Sequence, residues 1–298
     1  MVGETLIDEV VDGGRVGRHP GGSPSNVALG LARLDVDTVL HTRIGDDADG
    51  GLIRRHLGAA GVVLTADSVT AAPTSRAVAT ISQDGSASYR FDVTWHPAPL
   101  ADLGTPTVIH AGSLGAFIEP GSKVTRDIIQ RGLRKDARIT LDPNIRPSLL
   151  PDPAETRALF EELAFTSHLT KLSDEDAEYL YPGRPLEDVL NLLIDGGIPI
   201  AAITRGAEGA MLASGGVRIV IPPVTVGVVD TVGAGDSFMA ALIWALAFDA
   251  DGWAGEPVSA ERLRAVGRAA AAAAALTVCR PGADLPTLRE LRASLNAA

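Results

Sequence analysis

Asp230-Thr-Val-Gly-Ala-Gly-Asp-Ser-Phe238 stands between an apolar, β-branched run, Val217–Val229, interrupted by Pro222-Pro223, and the Ala/Leu-rich stretch Ser237–Phe248, which has no breaker. The pattern predicts a strand, a glycine turn and the first turn of a buried helix. Gly233 and Gly235 let backbone N–H groups converge where side chains would block approach, and a helix N-terminus adds partial positive charge. Such a turn is an anion site. A carboxylate at Asp236 would repel a bound phosphate there unless it takes a proton from an attacking hydroxyl. The competing reading is that Asp236 caps a helix and the glycines only make a tight turn. The local residues leave both open.

Working outward, 298 residues suffice for one large α/β domain or two smaller ones, and 46% hydrophobic with 21% charged residues is ordinary globular composition. A net charge of −11 provides no basic stripe for nucleic acid, although backbone amides and a metal can still handle a nucleotide's phosphates. The single cysteine, Cys279, has no partner for an internal disulfide; its apolar surroundings predict a small buried residue. Met1-Val-Gly-Glu-Thr shows no basic, then apolar, leader pattern, and Phe238–Phe248 and Ala269–Cys279 are too short to span a bilayer. A cytoplasmic protein with no membrane partner is expected. The six histidines show no metal-ligand spacing.

Val2–Val11 reads as a strand carrying Asp8, with only two residues ahead of Gly3, and Asp12-Gly-Gly14 as a turn. Pro20-Gly-Gly-Ser-Pro-Ser-Asn26 is a glycine-rich loop entering a helix over Val27–Leu34 that Ser25 or Asn26 would cap. Thr38–Ile44 is predicted as a strand and Leu52–Ala60 as a helix. Ala77–Ser82 and Ser88–Val93 alternate around Gln83-Asp-Gly-Ser86, a hairpin pattern. With Val10–Val16 they predict a small antiparallel sheet apart from the main one, a lid spanning about 9–19 and 73–98. From Thr107 onward β/α units alternate, and Arg138–Leu141 ends on Asp142-Pro-Asn-Ile-Arg146. The expectation is one α/β domain over 1–298: a doubly wound, mostly parallel sheet with helices on both faces, plus the lid. Ligands bind such sheets at the carboxyl ends of the strands. Asp8, Gly21–Asn26, Asp142–Arg146 and Asp230–Asp236 would share that edge.

Here the sequence resembles the pfkB (ribokinase-like) carbohydrate kinases, and among them bacterial fructokinases. Gly21-Gly-Ser-Pro-Ser-Asn-Val-Ala28 with Ile44-Gly-Asp-Asp-Ala-Asp-Gly50 looks like the family's first signature, and Asp230–Leu242 matches the second throughout. The resemblance runs from Gly3 to Leu291 and implies ATP-dependent transfer of a phosphoryl group to a sugar hydroxyl. It makes Asp236 the general base, and Gly233, Ala234 and Gly235 the anion hole for the transferring group. Asp8 and Asn26 resemble the sugar-binding pair, Gly21-Gly22 the hinge beside it, and Asn144 and Arg146 further sugar contacts. Lys171, Ser173, Thr204, Arg205, Gly206 and Gly209 correspond to the ATP side. Asp176 corresponds to a residue that orders magnesium-bound water, and Asp230, the carbonyl of Val232 and Gly282 to a site for a monovalent cation such as K+. Asp35 departs from the small residue usual in the first signature, and Ser173-Asp-Glu-Asp176 from the family's Asn-x-x-Glu, where Ser173 as a helix cap is the competing reading. No P-loop is present, so metal, amides and Arg205 or Arg146 must neutralise Mg–ATP.

Lys171-Leu-Ser-Asp174, Asp142-Pro-Asn-Ile-Arg146 and Gly3-Glu-Thr-Leu-Ile-Asp8 resemble fructokinases, making fructose the expected acceptor. The Asp-x-Asn-x-Arg element also occurs in 2-keto-3-deoxygluconate kinases, where Arg146 or Arg90 would meet a substrate carboxylate. Ribokinase-type activity and a catalytically silent sugar-binding regulator are the other readings, and a homodimer through the lid is implied by resemblance alone.

Overall fold

Parallel strands need covering on both faces, and here two apolar layers supply it. In the computed structural model, which describes residues 1–12, 15–81, 87–150, 152–248 and 257–297, the chain begins with β1 (Leu6–Asp12), β2 (Arg15–Gly21) and α1 (Ser23–Arg33). Next come β3 (Val39–Leu40), β4 (Ile44–Gly45), α2 (Ala48–Ala59), β5 (Val63–Leu64), β6 (Val69–Thr70), β7 (Arg76–Ile81) and β8 (Ala87–Asp92). The central part holds β9 (Val108–Gly112), α3 (Ser113–Phe117), α4 (Gly121–Leu133), β10 (Arg138–Asp142), α5 (Pro153–Ala164), β11 (Leu169–Ser173), α6 (Asp174–Leu180) and α7 (Leu186–Asp195). The last part is β12 (Ile200–Thr204), β13 (Ala210–Ser214), β14 (Val217–Ile221), α8 (Ala234–Ala247), α9 (Ala260–Val278) and α10 (Leu288–Ala297).

The main sheet runs β14-β13-β12-β11-β10-β9, parallel from β9 to β12 and antiparallel beyond. Along β12, Ala201 and Ile203 join a core with Phe160, Leu180 and Leu190, while Ile200 and Ala202 join the opposite core with Phe238 and Leu242. This alternation makes a strand look uniformly apolar in sequence and places helices on both faces. In α8 every residue from Asp236 to Leu246 is buried, so the helix is enclosed rather than amphipathic. No described helix is long and apolar enough to cross a membrane.

The strand before the glycine turn matches the expected Val217–Ile221, ending where Pro222 and Pro223 have no N–H to donate. Several elements differ from expectation. Thr38–Ile44 splits into β3 and β4. The first helix begins at Ser23, with Pro24 in its first turn, and neither Ser25 nor Asn26 caps it; the N-cap is Gly22, with no side-chain bond. Cys279 is exposed rather than buried, because it is the C-cap residue that ends α9. The second sheet, order β2-β1-β7-β8, is mixed rather than antiparallel because β1 and β7 run parallel. It comprises residues 6–12, 15–21, 76–81 and 87–92, against the expected 9–19 and 73–98. The hairpin turn at 83–86 and the turn at 13–14 lie outside the described residues.

Asp47 ties the small sheet's approach to the body. It caps α2 through Gly50 N–H (2.8 Å) and also accepts Thr74 N–H (2.9 Å) and Oγ1–H (2.7 Å). Burial is the largest single influence and raises its pKa, but these donors and Arg76 together outweigh it and hold the carboxyl below its ordinary range. Asp47→Ala is expected to cost about 1–2 kcal/mol in urea unfolding at pH 7. Because the folded-state pKa is depressed, the difference from wild type shrinks as pH falls through it.

Candidate active site

Asp236 is the second residue after Ala234 in α8, and the helix is entered through Gly233 in the left-handed region (φ 78°). A Cβ on Gly233 would stand 2.7 Å from that of Ala283, so only glycine lets the turn close on the 282–285 loop. Asp230 fastens the same turn, accepting Val232 N–H at 3.0 Å and Gly282 N–H at 2.8 Å; these bonds hold its pKa below the ordinary range. The N–H of Ala234 turns back to Thr231 O (3.2 Å), so of the three expected anion-hole residues its amide is already engaged. The amides of Gly235 and Asp236 have no backbone acceptor among the described residues and provide the helix's orphan donors.

The Asp236 side chain accepts Ser23 Oγ–H on Oδ1 (2.6 Å) and Asn26 Nδ2–H on Oδ2 (2.8 Å), and it is 7% exposed. Ser23 and Asn26 fail to cap α1 because they are aimed at the C-terminal half of the chain instead. Each carboxylate oxygen keeps a lone pair. The cap reading of Asp236 loses its basis, because no side-chain bond closes the N-terminus of α8.

A pocket of about 320 Å³ opens over this carboxylate, at the small end of the ligand-site range (about 300–1,000 Å³). It is lined by Asp8, Gly22, Asn26, Asn144 and Arg146, the expected sugar residues, and by Gly233, Gly235 and Asp236. Asp8 projects from β1 beneath Gly21, where a Cβ would stand 2.0 Å from Asp8 Oδ2. Burial pushes Asp8 up to about 6, against the pull of Arg146 and His19 and with a further push from Asp236. A larger cleft of about 860 Å³, lined by Met1, Val39 and Val108, lies at the amino ends of the strands and holds none of these groups.

Sequence reasoning missed Ser23, Glu4 and Ser113. Glu4 is 3% exposed, accepts Gly115 N–H at 2.8 Å and bonds Ser113; burial pushes it up to about 7, against Ser113, those amides and Arg146. Ser113 and Asn144 both line the pocket from left-handed backbone (φ 49° and 39°), at the ends of neighbouring strands β9 and β10.

The expected ATP-side residues other than Lys171 lie outside this pocket. Ser173 and Thr204 are paired in register at the ends of β11 and β12, and Arg205–Gly209 forms the turn that follows, closed by Arg205 N–H to Gly209 O (2.8 Å). Arg205 is turned onto Glu208, its Nη2–H donating to the carbonyl at 2.8 Å. Ser173 and Asp176 form a capping box, and Asp176 Oδ1 also accepts Ile145 N–H at 2.7 Å. Both Asp176 oxygens are thus engaged by the backbone, tying α6 to the Asp142–Arg146 loop. Lys171 instead lines the pocket, bonded to Asp142 Oδ2 at 2.8 Å. No group of three or more metal-ligating side chains occurs among the described residues.

The family model described as pfkB family carbohydrate kinase matches residues 2–290. A fructokinase from Rhizobium leguminosarum bv. trifolii is 30% identical over 261 residues, covering 83% of this chain and 79% of its own length. One from Klebsiella pneumoniae is 30% identical, covering 83% of each. Among solved structures, the Vibrio cholerae O395 fructokinase in its fructose, ADP and calcium ion bound form superposes with a TM-score of 0.83 at 24% identity, covering 99% of this chain and 97% of its own.

Glu4 and Asp8 set a pH dependence. Their folded values, about 7 and about 6, exceed the ordinary 4.5 and 3.8, so the folded state binds more protons between pH 4 and 7. Stability without ligand should therefore fall as pH rises through that window. Asp8→Asn is expected to raise unfolding free energy by on the order of 2 kcal/mol at pH 8 and by almost nothing at pH 4, measured by urea denaturation.

Proposed function

The chain belongs to the pfkB family of carbohydrate kinases, and from that premise we propose that it is a fructokinase, transferring the γ-phosphoryl group of Mg–ATP to a hydroxyl of fructose. The observation that carries this reading is the Asp236 carboxylate, oriented by Ser23 and Asn26 and opening into one pocket with Asp8 beside the amides that begin α8. A sugar held by Asp8, Asn26 and Asn144 presents a hydroxyl to Asp236. As oxygen bonds to phosphorus, the hydroxyl proton passes to Asp236, and the bond to the β-phosphate oxygen breaks to release ADP. The orphan N–H groups of Gly235 and Asp236 face the charge that develops.

One feature supports a neutral acceptor. Arg146, the cation that would greet a 2-keto-3-deoxygluconate carboxylate, already lies in the field of both Asp8 and Glu4. An anionic sugar would have to compete with the protein's own carboxylates. For the nucleotide, the turn at Thr204–Gly209 and Ser173 offer the neighbouring strand ends, and the exposed Val224, Val228, Val229 and Val232 offer an apolar surface of the kind an adenine ring takes. Asp176 would order magnesium-bound water, and the Asp230–Val232 turn with Gly282 would hold a monovalent cation. The second sheet serves as a lid over the sugar in a single domain, and a lid-mediated homodimer and a cytoplasmic location belong to the same reading.

An ADP-release assay with fructose, ribose, 2-keto-3-deoxygluconate and adenosine tests it. Fructose should give the highest kcat/KM; a higher value for the keto acid would overturn the acceptor, and silence on all four would favour a sugar-binding regulator. Asp236→Asn should lower kcat by about 10³-fold with an unchanged thermal midpoint. Near-normal turnover in that variant would remove Asp236 as the base.

A further inference from the structure

We propose that Ser23 is a second phosphoryl acceptor: with Mg–ATP bound and the sugar site empty, the kinase transfers the γ-phosphoryl group to the hydroxyl of its own Ser23 and closes its sugar pocket. The proposal rests on the sugar-kinase reading and adds to it a self-modification that the sugar suppresses.

The first argument is the pairing of a nucleophile with the base. Ser23 Oγ–H donates to Asp236 Oδ1 at 2.6 Å, within the reach of about 2.6–3.2 Å at which a base takes a proton from a hydroxyl. No other hydroxyl is bonded to that carboxylate among the described residues, and the other serine lining the pocket, Ser113, is bonded to Glu4. Ser23 is 7% exposed and lines the pocket. A sugar therefore brings its hydroxyl to a carboxylate that already holds one. Until it arrives, Ser23 is the hydroxyl that the base is set to deprotonate.

The second argument is what surrounds the oxygen that would carry the phosphate. Ser23 is the first residue of α1 and Asp236 stands in the first turn of α8, so two helix N-termini meet at this hydrogen bond. Neither is closed by a side-chain cap, and the amides of Ser23, Ser25, Gly235 and Asp236 have no backbone acceptor among the described residues. Those donors and the helix dipoles favour a phosphoserine at the start of a helix. Asp8 and Asp236 repel a dianion there, whereas Arg146, in the same pocket, attracts it. The balance predicts a slow reaction beside sugar phosphorylation.

The step balances as the sugar reaction does. Ser23 Oγ bonds to the γ-phosphorus, its proton passes to Asp236, and the bond from phosphorus to the β-phosphate oxygen breaks to release ADP. Asp236 then gives the proton to water. A phosphate on Ser23 occupies part of a pocket of about 320 Å³ beside Asp236, where the sugar hydroxyl would stand. The modified enzyme is closed to its acceptor, and bound sugar protects Ser23 by the same exclusion. The device shuts the kinase when ATP is present and acceptor is scarce.

The test incubates the wild type with Mg–ATP, with and without fructose, and follows intact mass and peptide maps, with fructose turnover and thermal midpoints on the same samples. Without sugar, one phosphoryl group per chain should appear on Ser23, at least about 10²-fold more slowly than sugar turnover because the serine lacks the sugar's alignment. The rate should not depend on enzyme concentration, since the transfer is internal. Fructose at about ten times its Kd should slow labelling about tenfold, and turnover should fall in proportion to the labelled fraction. Ser23→Ala should take no label yet keep measurable fructose phosphorylation, since Asn26 still holds Asp236; Ser23→Thr should still be labelled, and Asp236→Asn should not. A wild type that turns over fructose but gains no phosphoryl group on Ser23 would overturn the proposal and leave the kinase reading intact. So would label that persists in folded Ser23→Ala or Asp236→Asn, or a labelling rate that rises with enzyme concentration. Undiminished turnover in fully labelled enzyme would overturn the closure of the pocket. A wild type that phosphorylates neither Ser23 nor any sugar would overturn the kinase reading and this proposal with it.

Discussion

The two hydrogen bonds onto Asp236 join residues more than two hundred positions apart, and most of the structure exists to make them possible. Ser23 and Asn26 stand in the first turn of α1, and Asp236 in the first turn of α8. The bonds form only if the two helices pack with their N-termini level. Thr277 of α9 donates to Ser237 Oγ at 2.8 Å, so a third helix fixes the same turn from behind. A carboxylate 7% exposed loses most of its water, and charge-assisted bonds of about 1.5–3 kcal/mol each offset that loss. They hold the carboxylate aimed into the pocket, with lone pairs to spare for a substrate.

Strand order sorts the chemistry along one edge. Ser113 follows β9, Asn144 and Arg146 follow β10, Ser173 ends β11 and Thr204 ends β12, and these strands are neighbours in that sequence. The groups proposed to hold the sugar therefore fall beside β9 and β10, and those proposed to hold the nucleotide beside β11 and β12. The turn Gly233–Asp236 lines the sugar pocket, and Lys171, on β11, projects into it. Asp176 couples the two sides by taking the Ile145 N–H of one loop and the Ser173 N–H of the other. An in-line transfer needs both partners on one rigid edge, and hydrogen bonds between adjacent strands provide it.

The parts legible in the sequence were those whose signal is local. Alternating β/α units, the anion-binding turn and the strand-end loops could each be read from a few consecutive residues, and the family resemblance carried Asp8, Asn26 and Asp236 into one pocket. What stayed hidden depended on tertiary partners. Asn26 looks like a helix cap, and only the position of Asp236 explains why it is not one. Glu4 precedes the first strand, and nothing near it in sequence shows that Gly115 and Ser113 await it. Cys279 follows a buried alanine-rich stretch, yet as the residue that ends α9 it is exposed.

The unliganded pocket is assembled against its own stability. Glu4 and Asp8 are pushed up by burial, Asp142 holds a buried oxygen without a donor, and Ser113 and Asn144 occupy left-handed backbone that other residues would not adopt readily. Each of these costs folding free energy, and a sequence selected for stability alone would replace them with apolar residues. On the proposed reading, a polyol offsets several of these costs at once, because its hydroxyls donate to the carboxylates. On that reading, affinity depends on hydroxyl donors arranged to match Glu4, Asp8 and Asp236 rather than on apolar contact. Discrimination between sugars then follows from geometry: an acceptor that leaves one of those carboxylates without a donor loses the relief that the correct sugar obtains.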